Sequence, residues 1–378
     1  MKSSKGDDNM TTQLYKIREN NKFGFMNTAG EVVIEPQYYK VEDYYNGFSI
    51  ATFNNKPVPL DNLGRLLMKH LFNFVGKFEE RKARARLVSK WGYIDERGSL
   101  VIDVQFDQAE NFSEGLAAVK VEGFWGFINH EGDYAITPRF FSAGHFKHGL
   151  APVRFTEDGL FGFVDKEGRT VIKASYEKAY PFQGELAVFE QEGKWGFINR
   201  KGDVEVPPLF DIPANPFYGQ FHDGKAVIIK DNVYGYINQN CKLDQSPSFA
   251  YALDYSEGLG VVKLDNKFGY LDLKSDLQIM PDFDAASSFS GGMAAVKKRN
   301  MWGYINKEGK TIIPFRYDAA YPFKNGLALV EKEDIWSYIN IKGDVIWCES
   351  INDIDAPRRT VESESPAPMA SLFPDGES

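Results

Sequence analysis

The residues of this 378-residue chain best suited to chemistry are carboxylates that return at regular intervals. Asp61, Asp95, Asp165 and Asp272 hold equivalent places in successive segments. Gathered in the central pocket of a closed ring of β-sheets, such groups could serve as the acid and base of glycoside hydrolysis. Yet Asn27, Asn129, Asn199, Asn238, Asn306 and Asn340 hold the same place elsewhere. An amide cannot trade the proton that general acid–base catalysis requires, whereas either side chain can cap a turn. The free exchange of the two points to turn structure.

Other reactive types are sparse. His145 and His148 stand three residues apart, with no further ligand at a metal-binding spacing. Cys241 and Cys348 are too few for a disulfide framework and fit a reducing compartment. There is no glycine-rich phosphate loop, nucleophile elbow or cysteine–histidine signature. The expectation is a protein without catalysis, metal or cofactor.

Two stretches suggest contact with a partner. Arg81-Lys82-Ala83-Arg84-Ala85-Arg86 is the densest basic run, and its alternation suits a strand with Arg84 and Arg86 on a solvent face. Residues 207–222 form the longest insertion, where four prolines and four aromatics make a stiff loop with apolar tips. Phe210, Phe217, Tyr218 and His222 are its expected contact residues, because loops inserted on one face of an array are common binding places.

These residues are positioned by a repeat. Gly24, Gly92, Gly126, Gly162, Gly196, Gly235, Gly269 and Gly303 each follow an aromatic residue, and Val58 and Ser337 fill two degenerate copies. The spacing is 34 between most neighbours, but 36 between Gly126 and Gly162 and 39 between Gly196 and Gly235. About ten copies at a fixed period define a tandem-repeat architecture. Within a copy, Gly115-Leu116-Ala117-Ala118-Val119-Lys120 and Phe124-Trp125-Gly126-Phe127-Ile128-Asn129 have the small, aromatic and β-branched character of strands. Val121-Glu122-Gly123 joins them, and Asn129 with Gly132 makes the next turn. A third strand follows, as in Thr311-Ile312-Ile313, and the proline after it (Pro36, Pro138, Pro314) is expected to end hydrogen bonding. The anchor glycine is expected to admit a neighbouring backbone or ring, and the aromatic before it to pack in the core. In the two copies lacking the turn glycine, at Cys241 and Ser275, Asn240 could supply the left-handed residue of the first.

The chain resembles the WG-repeat family, a widespread and mostly bacterial class of β-repeat proteins. The likeness rests on Lys90-Trp91-Gly92-Tyr93-Ile94-Asp95 with Gly98, on Thr311 to Pro314, and on Phe112-Ser113-Glu114-Gly115-Leu116-Ala117. It runs from about Leu14 to Trp347. It implies a repeat scaffold, generally without known catalysis, and transfers no catalytic or binding residue.

The expected fold is all-β, a tandem array of about ten three-stranded meanders of about 34 residues over 13–350, open and elongated, with a β-propeller as the alternative. Polar segments 1–12 and 351–378 are expected to be disordered. No stretch approaches membrane-spanning length, and the first residues lack a signal-peptide core, so a cytoplasmic protein is expected. The net charge of −9 disfavours nucleic acid and anionic membranes. The expected role is a non-catalytic scaffold for an unidentified protein partner, the alternative being a carbohydrate- or peptide-binding or -processing propeller.

Overall fold

The computed structural model describes residues 13–67, 70–213, 219–244 and 247–350. The two polar termini therefore lie outside the described residues, as do Phe217 and Tyr218. Every regular element described is a strand. The strands make seven four-stranded sheets, one three-stranded sheet and two two-stranded sheets, all antiparallel in chain order, and none closes into a barrel. The chain divides into two compact units, one ending at Phe210 and the other starting at Asp211.

A regular sheet is well illustrated by Gln108–Ala109, Ala117–Val121, Phe124–Ile128 and Tyr134–Phe140. The three long strands are the expected meander. The fourth, only two residues long, comes from the loop that precedes it and pairs Gln108 with Lys120 and Ala109 with Val119. Glu122 and Gly123 both have positive φ, the conformation of a two-residue hairpin turn whose twist matches its strands. The next turn is tied by Asn129, whose Oδ1 accepts the N–H groups of Glu131 at 3.1 Å and Asp133 at 2.9 Å. In the copy lacking glycine, Cys241 itself takes the left-handed conformation at φ 57°, rather than Asn240.

The anchor glycine has a specific cause. Trp125 pairs with Phe140 but Phe127 pairs with Ile136, so the single residue Gly126 faces a three-residue bulge. A Cβ on Gly126 would lie 2.6 Å from the Ile136 carbonyl oxygen. Pro138 sits inside that bulge. Its missing N–H costs no ladder bond there, and the strand runs on to Phe140 instead of ending at the proline. Where the anchor glycine is lost, so is the three-residue bulge: Ser337 pairs directly with Cys348, and the sheet containing Val58 has only two strands.

Cores form between successive sheets. Tyr93, Ile102, Phe106, Ala109, Phe112, Ala117, Val119 and Ile128 make one such cluster, drawn from two copies. One meander has too little apolar surface to fold alone, and stacking supplies the rest. The buried tyrosine after the anchor donates to a carbonyl seventeen residues on, as in Tyr93 to Glu110 at 2.6 Å and Tyr304 to Tyr321 at 2.9 Å.

Candidate functional site

The residues singled out by sequence separate into different settings. Phe210 is 2% exposed and packs 4.9 Å from Trp195, so it belongs to the core and is not a contact residue. The proline-rich stretch places it at the end of a strand, Val204–Asp211, whose inward face is apolar. In the second unit, His222 is half-exposed, with Nε2 3.7 Å from the Asp254 carboxylate.

Arg84 and Arg86 do lie on a strand, Lys82–Leu87, with Ala83 and Ala85 buried behind them. Of the two, Arg86 is the exposed one. The Arg84 guanidinium lies over Phe74 at 5.5 Å and Trp91 at 5.3 Å, and donates to the Ala109 carbonyl at 2.8 Å and Glu110 at 3.1 Å. Arg86 covers the same indole at 5.4 Å. Sequence alternation located the strand, but the tie of Arg84 depends on aromatics and an acid from neighbouring segments.

The Arg86–Trp91 pairing is one case of a pattern. Each anchor aromatic faces a cross-strand residue that is often basic, and the cation covers the ring. Lys120 lies 6.0 Å from Trp125, Arg154 5.8 Å from Phe161, and Lys263 5.4 Å from Phe268. These rings are half-buried: Trp91, Trp125 and Phe161 pack against core clusters on one side and carry a cation on the other. The expectation of core packing accounts for one face of each ring. The sequence signal for the other was the Lys or Arg five residues before most of the aromatics.

A cleft of about 500 Å³ opens beside the basic run, lined by Glu80, Arg81, Lys82, Asp95, Glu96, Arg97 and His130. His130 was not among the sequence candidates. It stacks on Phe112 at 4.4 Å, its Nε2 lies 3.0 Å from Glu80, and its Nδ1 lies 3.3 Å from Lys82 Nζ. Lys82 stands where other copies carry the buried Leu116, Leu150 or Leu259, which was the legible sign of a polar site. Arg81 pairs with Glu96 at 2.9 Å, and Asp95 is engaged by the N–H groups of Arg97 and Ser99.

The turn carboxylates are held in the same way. Asp165 Oδ1 accepts the N–H groups of Glu167 and Arg169, and Asp272 Oδ1 those of Lys274 and Asp276. Burial works to raise the Asp165 carboxyl, but the hydrogen bonds and charge of Arg169 hold it below the usual carboxylate range. Among the described residues, no group of three or more His, Cys, Asp or Glu is placed to hold a metal ion.

A WG containing repeat model matches residues 23–56, 91–123, 125–157, 161–195, 195–234, 234–268, 268–302 and 302–334. The chain belongs to the WG containing repeat family. The gap in the match after residue 56 falls at the copy containing Val58, one of the two WG copies whose sheets have only two strands. No curated protein matches the chain. A solved structure described as the crystal structure of the eukaryotic initiation factor aligns over 90% of this WG-repeat chain and 97% of its own, at 9% identity and a TM-score of 0.51. BamB from Moraxella catarrhalis aligns over 83% of this chain and 94% of its own, at 11% identity and a TM-score of 0.34. The first is a likeness of fold alone, and the second carries nothing further.

Proposed function

We propose that this WG-repeat protein is a non-catalytic cytoplasmic scaffold that binds other proteins through the aromatic and basic face of its repeats. The observation that carries this reading is the set of half-buried anchor rings capped by cations in the first unit: Trp91 with Arg86, Trp125 with Lys120, and Phe161 with Arg154. Flat rings with cationic partners bury large area at little entropic cost, which is why aromatic and Arg residues concentrate at interfaces. The turn Asp and Asn side chains, by contrast, are consumed in holding turns.

The test is affinity capture by the intact tagged chain from its own cells, set beside the double variant Arg86→Ala, Lys120→Ala. A specific protein retained by the parent and depleted with the variant supports the reading. Equal recovery, or no specific protein with the parent, counts against it.

A further inference from the structure

One joint between successive copies differs from its counterparts in two side chains that touch each other. Glu114 and Glu257 each accept backbone N–H groups of the next copy, that of Gly149 at 2.9 Å and that of Gly291 at 2.7 Å. A lysine from one copy further on completes each joint. Lys166 lies 3.5 Å from the Glu114 carboxylate, and Lys307 lies 3.3 Å from that of Glu257. Two residues after these acids stand Leu116 and Leu259, both buried. At the third such joint, Glu80 accepts the Gly115 N–H at 3.0 Å. Here His130 takes the place of the two lysines, four residues after its anchor glycine, and Lys82 takes the place of the two leucines.

The two exchanges make one arrangement. The lysine has moved from the turn to the strand, and an imidazole stands between it and the acid. His130 Nε2 lies 3.0 Å from Glu80 Oε2, while Nδ1 lies 3.3 Å from Lys82 Nζ. An ammonium has donors only, so the Nδ1 that faces it accepts. The single ring proton then sits on Nε2 and is donated to Glu80. Stacking on Phe112, at 4.4 Å and 16° from parallel, fixes the ring plane so that both contacts hold together. Lys82 Nζ lies 5.7 Å from the same phenyl ring and makes no ion pair among the described residues. The other charged groups lining the cleft are Arg81, Asp95, Glu96 and Arg97, two of each sign. Glu131, next to His130 in its own turn, is exposed. The His130 side chain is 32% exposed, so water can deliver a proton to it.

Imidazole is the side chain whose charge ordinarily changes between pH 5 and 8. A second proton on His130 must enter at Nδ1, where it meets the Lys82 ammonium. The hydrogen bond from Lys82 is then lost and two cations face each other, while the contact with Glu80 becomes an ion pair like those of Lys166 and Lys307. We propose that the Glu80–His130–Lys82 joint is a pH-operated switch between copies. Neutral His130 holds Lys82 against the joint, and protonated His130 grips Glu80 and releases Lys82 into the cleft. The lining charges balance in the neutral state, with Glu80, Asp95 and Glu96 against Arg81, Lys82 and Arg97. The acid state adds one positive charge to them. The joints at Glu114 and Glu257 lack this element, because lysine is not a side chain that changes charge in this interval.

The test uses the full chain at pH 8 and pH 5. Nitrogen NMR of the parent should place the single His130 ring proton on Nε2 at pH 8 and a proton on each nitrogen at pH 5. Double-variant cycles built from Glu80→Gln, Lys82→Met and His130→Ala, read as shifts of the urea midpoint, measure the two contacts separately. The coupling of position 80 with 130 should rise at pH 5. That of position 82 with 130, stabilising at pH 8, should vanish or reverse at pH 5. The same cycle with Glu257→Gln and Lys307→Met should give one value at both. The variant Lys82→Leu, His130→Lys installs the set that accompanies Glu114 and Glu257. In that background the midpoint shift caused by Glu80→Gln should be the same at pH 8 and pH 5, whereas in the parent it should differ. A ring proton on Nδ1 at pH 8, couplings that stay constant between the two conditions, or an undiminished pH dependence in the Lys82→Leu, His130→Lys background would overturn the proposal.

Discussion

The carboxylate of Glu114 accepts the backbone N–H of Gly149, one repeat further along the chain, at 2.9 Å, and that of His148 beside it. Lys166, two repeats on, donates to the Glu114 carbonyl at 2.7 Å. Glu257 repeats the arrangement with Gly291, Gly292 and Lys307, and Glu80 reaches Gly115. Ser113 and Ser256 add hydrogen bonds to the Phe146 and Phe289 carbonyls, each at 2.7 Å. The Phe-Ser-Glu-Gly segment is thus a staple between copies, in which Phe fills the core while Ser and Glu bind the next loop.

Glu114→Gln should lower stability by about 1 kcal/mol, a charge-assisted bond discounted because the side chain is one-third exposed. Burial works to raise this carboxyl, but the N–H groups of Gly149 and His148 and the charge of Lys166 outweigh it and hold it below 4.5. The depressed folded value means that the stabilisation is present above about pH 4.5 and is lost as pH falls through the folded value. Urea midpoints of the parent and Glu114→Gln should therefore differ at pH 7 and converge towards pH 3. A constant difference across that range would contradict this account.

Two glycine substitutions should differ because only one meets backbone. Gly126→Ala places a methyl 2.6 Å from the Ile136 oxygen, and a cost of about 3 kcal/mol is expected. Gly123→Ala meets nothing within 4 Å and strains only φ, at about 1 kcal/mol. Thermal melts of the two variants give the order, and equal losses would dismiss the bulge as the reason for the anchor glycine.

At the second turn, Asn129→Asp keeps the oxygen that receives Glu131 and Asp133. Its stability should change by less than about 0.5 kcal/mol, against about 1 kcal/mol for Asn129→Ala. Chemical denaturation of the three proteins decides the point. A large loss on Asn129→Asp would show that the amide hydrogens matter as well.

Lys225 stands where other copies bury Leu, with its ammonium bonded to Asp244 and Ser275 donating to the same carboxylate at 2.8 Å. The Lys225 and Asp244 side chains are 11% and 8% exposed, and Lys225 Nζ lies 5.9 Å from the Tyr255 ring, whose hydroxyl is pushed up to about 12 chiefly by burial. Lys225→Leu strands a buried carboxylate and should cost about 3 kcal/mol, while adding Asp244→Leu should recover most of it. A double variant no more stable than the single one would show that the ion pair does not govern this site.

Some of the candidate surface was legible and some was not. The strand carrying Arg84 and Arg86 followed from alternation with Ala83 and Ala85, because period-two patterning is local. That Arg84 is committed to Trp91 and Glu110 required the register between strands and the loop of the next sheet. Phe210 read as an exposed tip because prolines surround it, yet its side chain faces inward on its strand and meets Trp195. The two-residue strand that completes each regular sheet was hidden too, since residues such as Gln108-Ala109 have no strand character until Lys120 and Val119 lie beside them.

By itself the sequence determined the period, the strand content, the hairpin positions and the Asn or Asp turn caps. Each depends on residues within a few positions of one another, where covalent connection leaves few alternatives. Only the tertiary structure decided which carbonyl excludes a side chain at Gly126, which amides Glu114 receives, and which rings hold Arg154. Those partners lie seven to thirty-five residues apart and meet because stacked sheets share one core, so the stacking register chooses among many chemically equivalent neighbours.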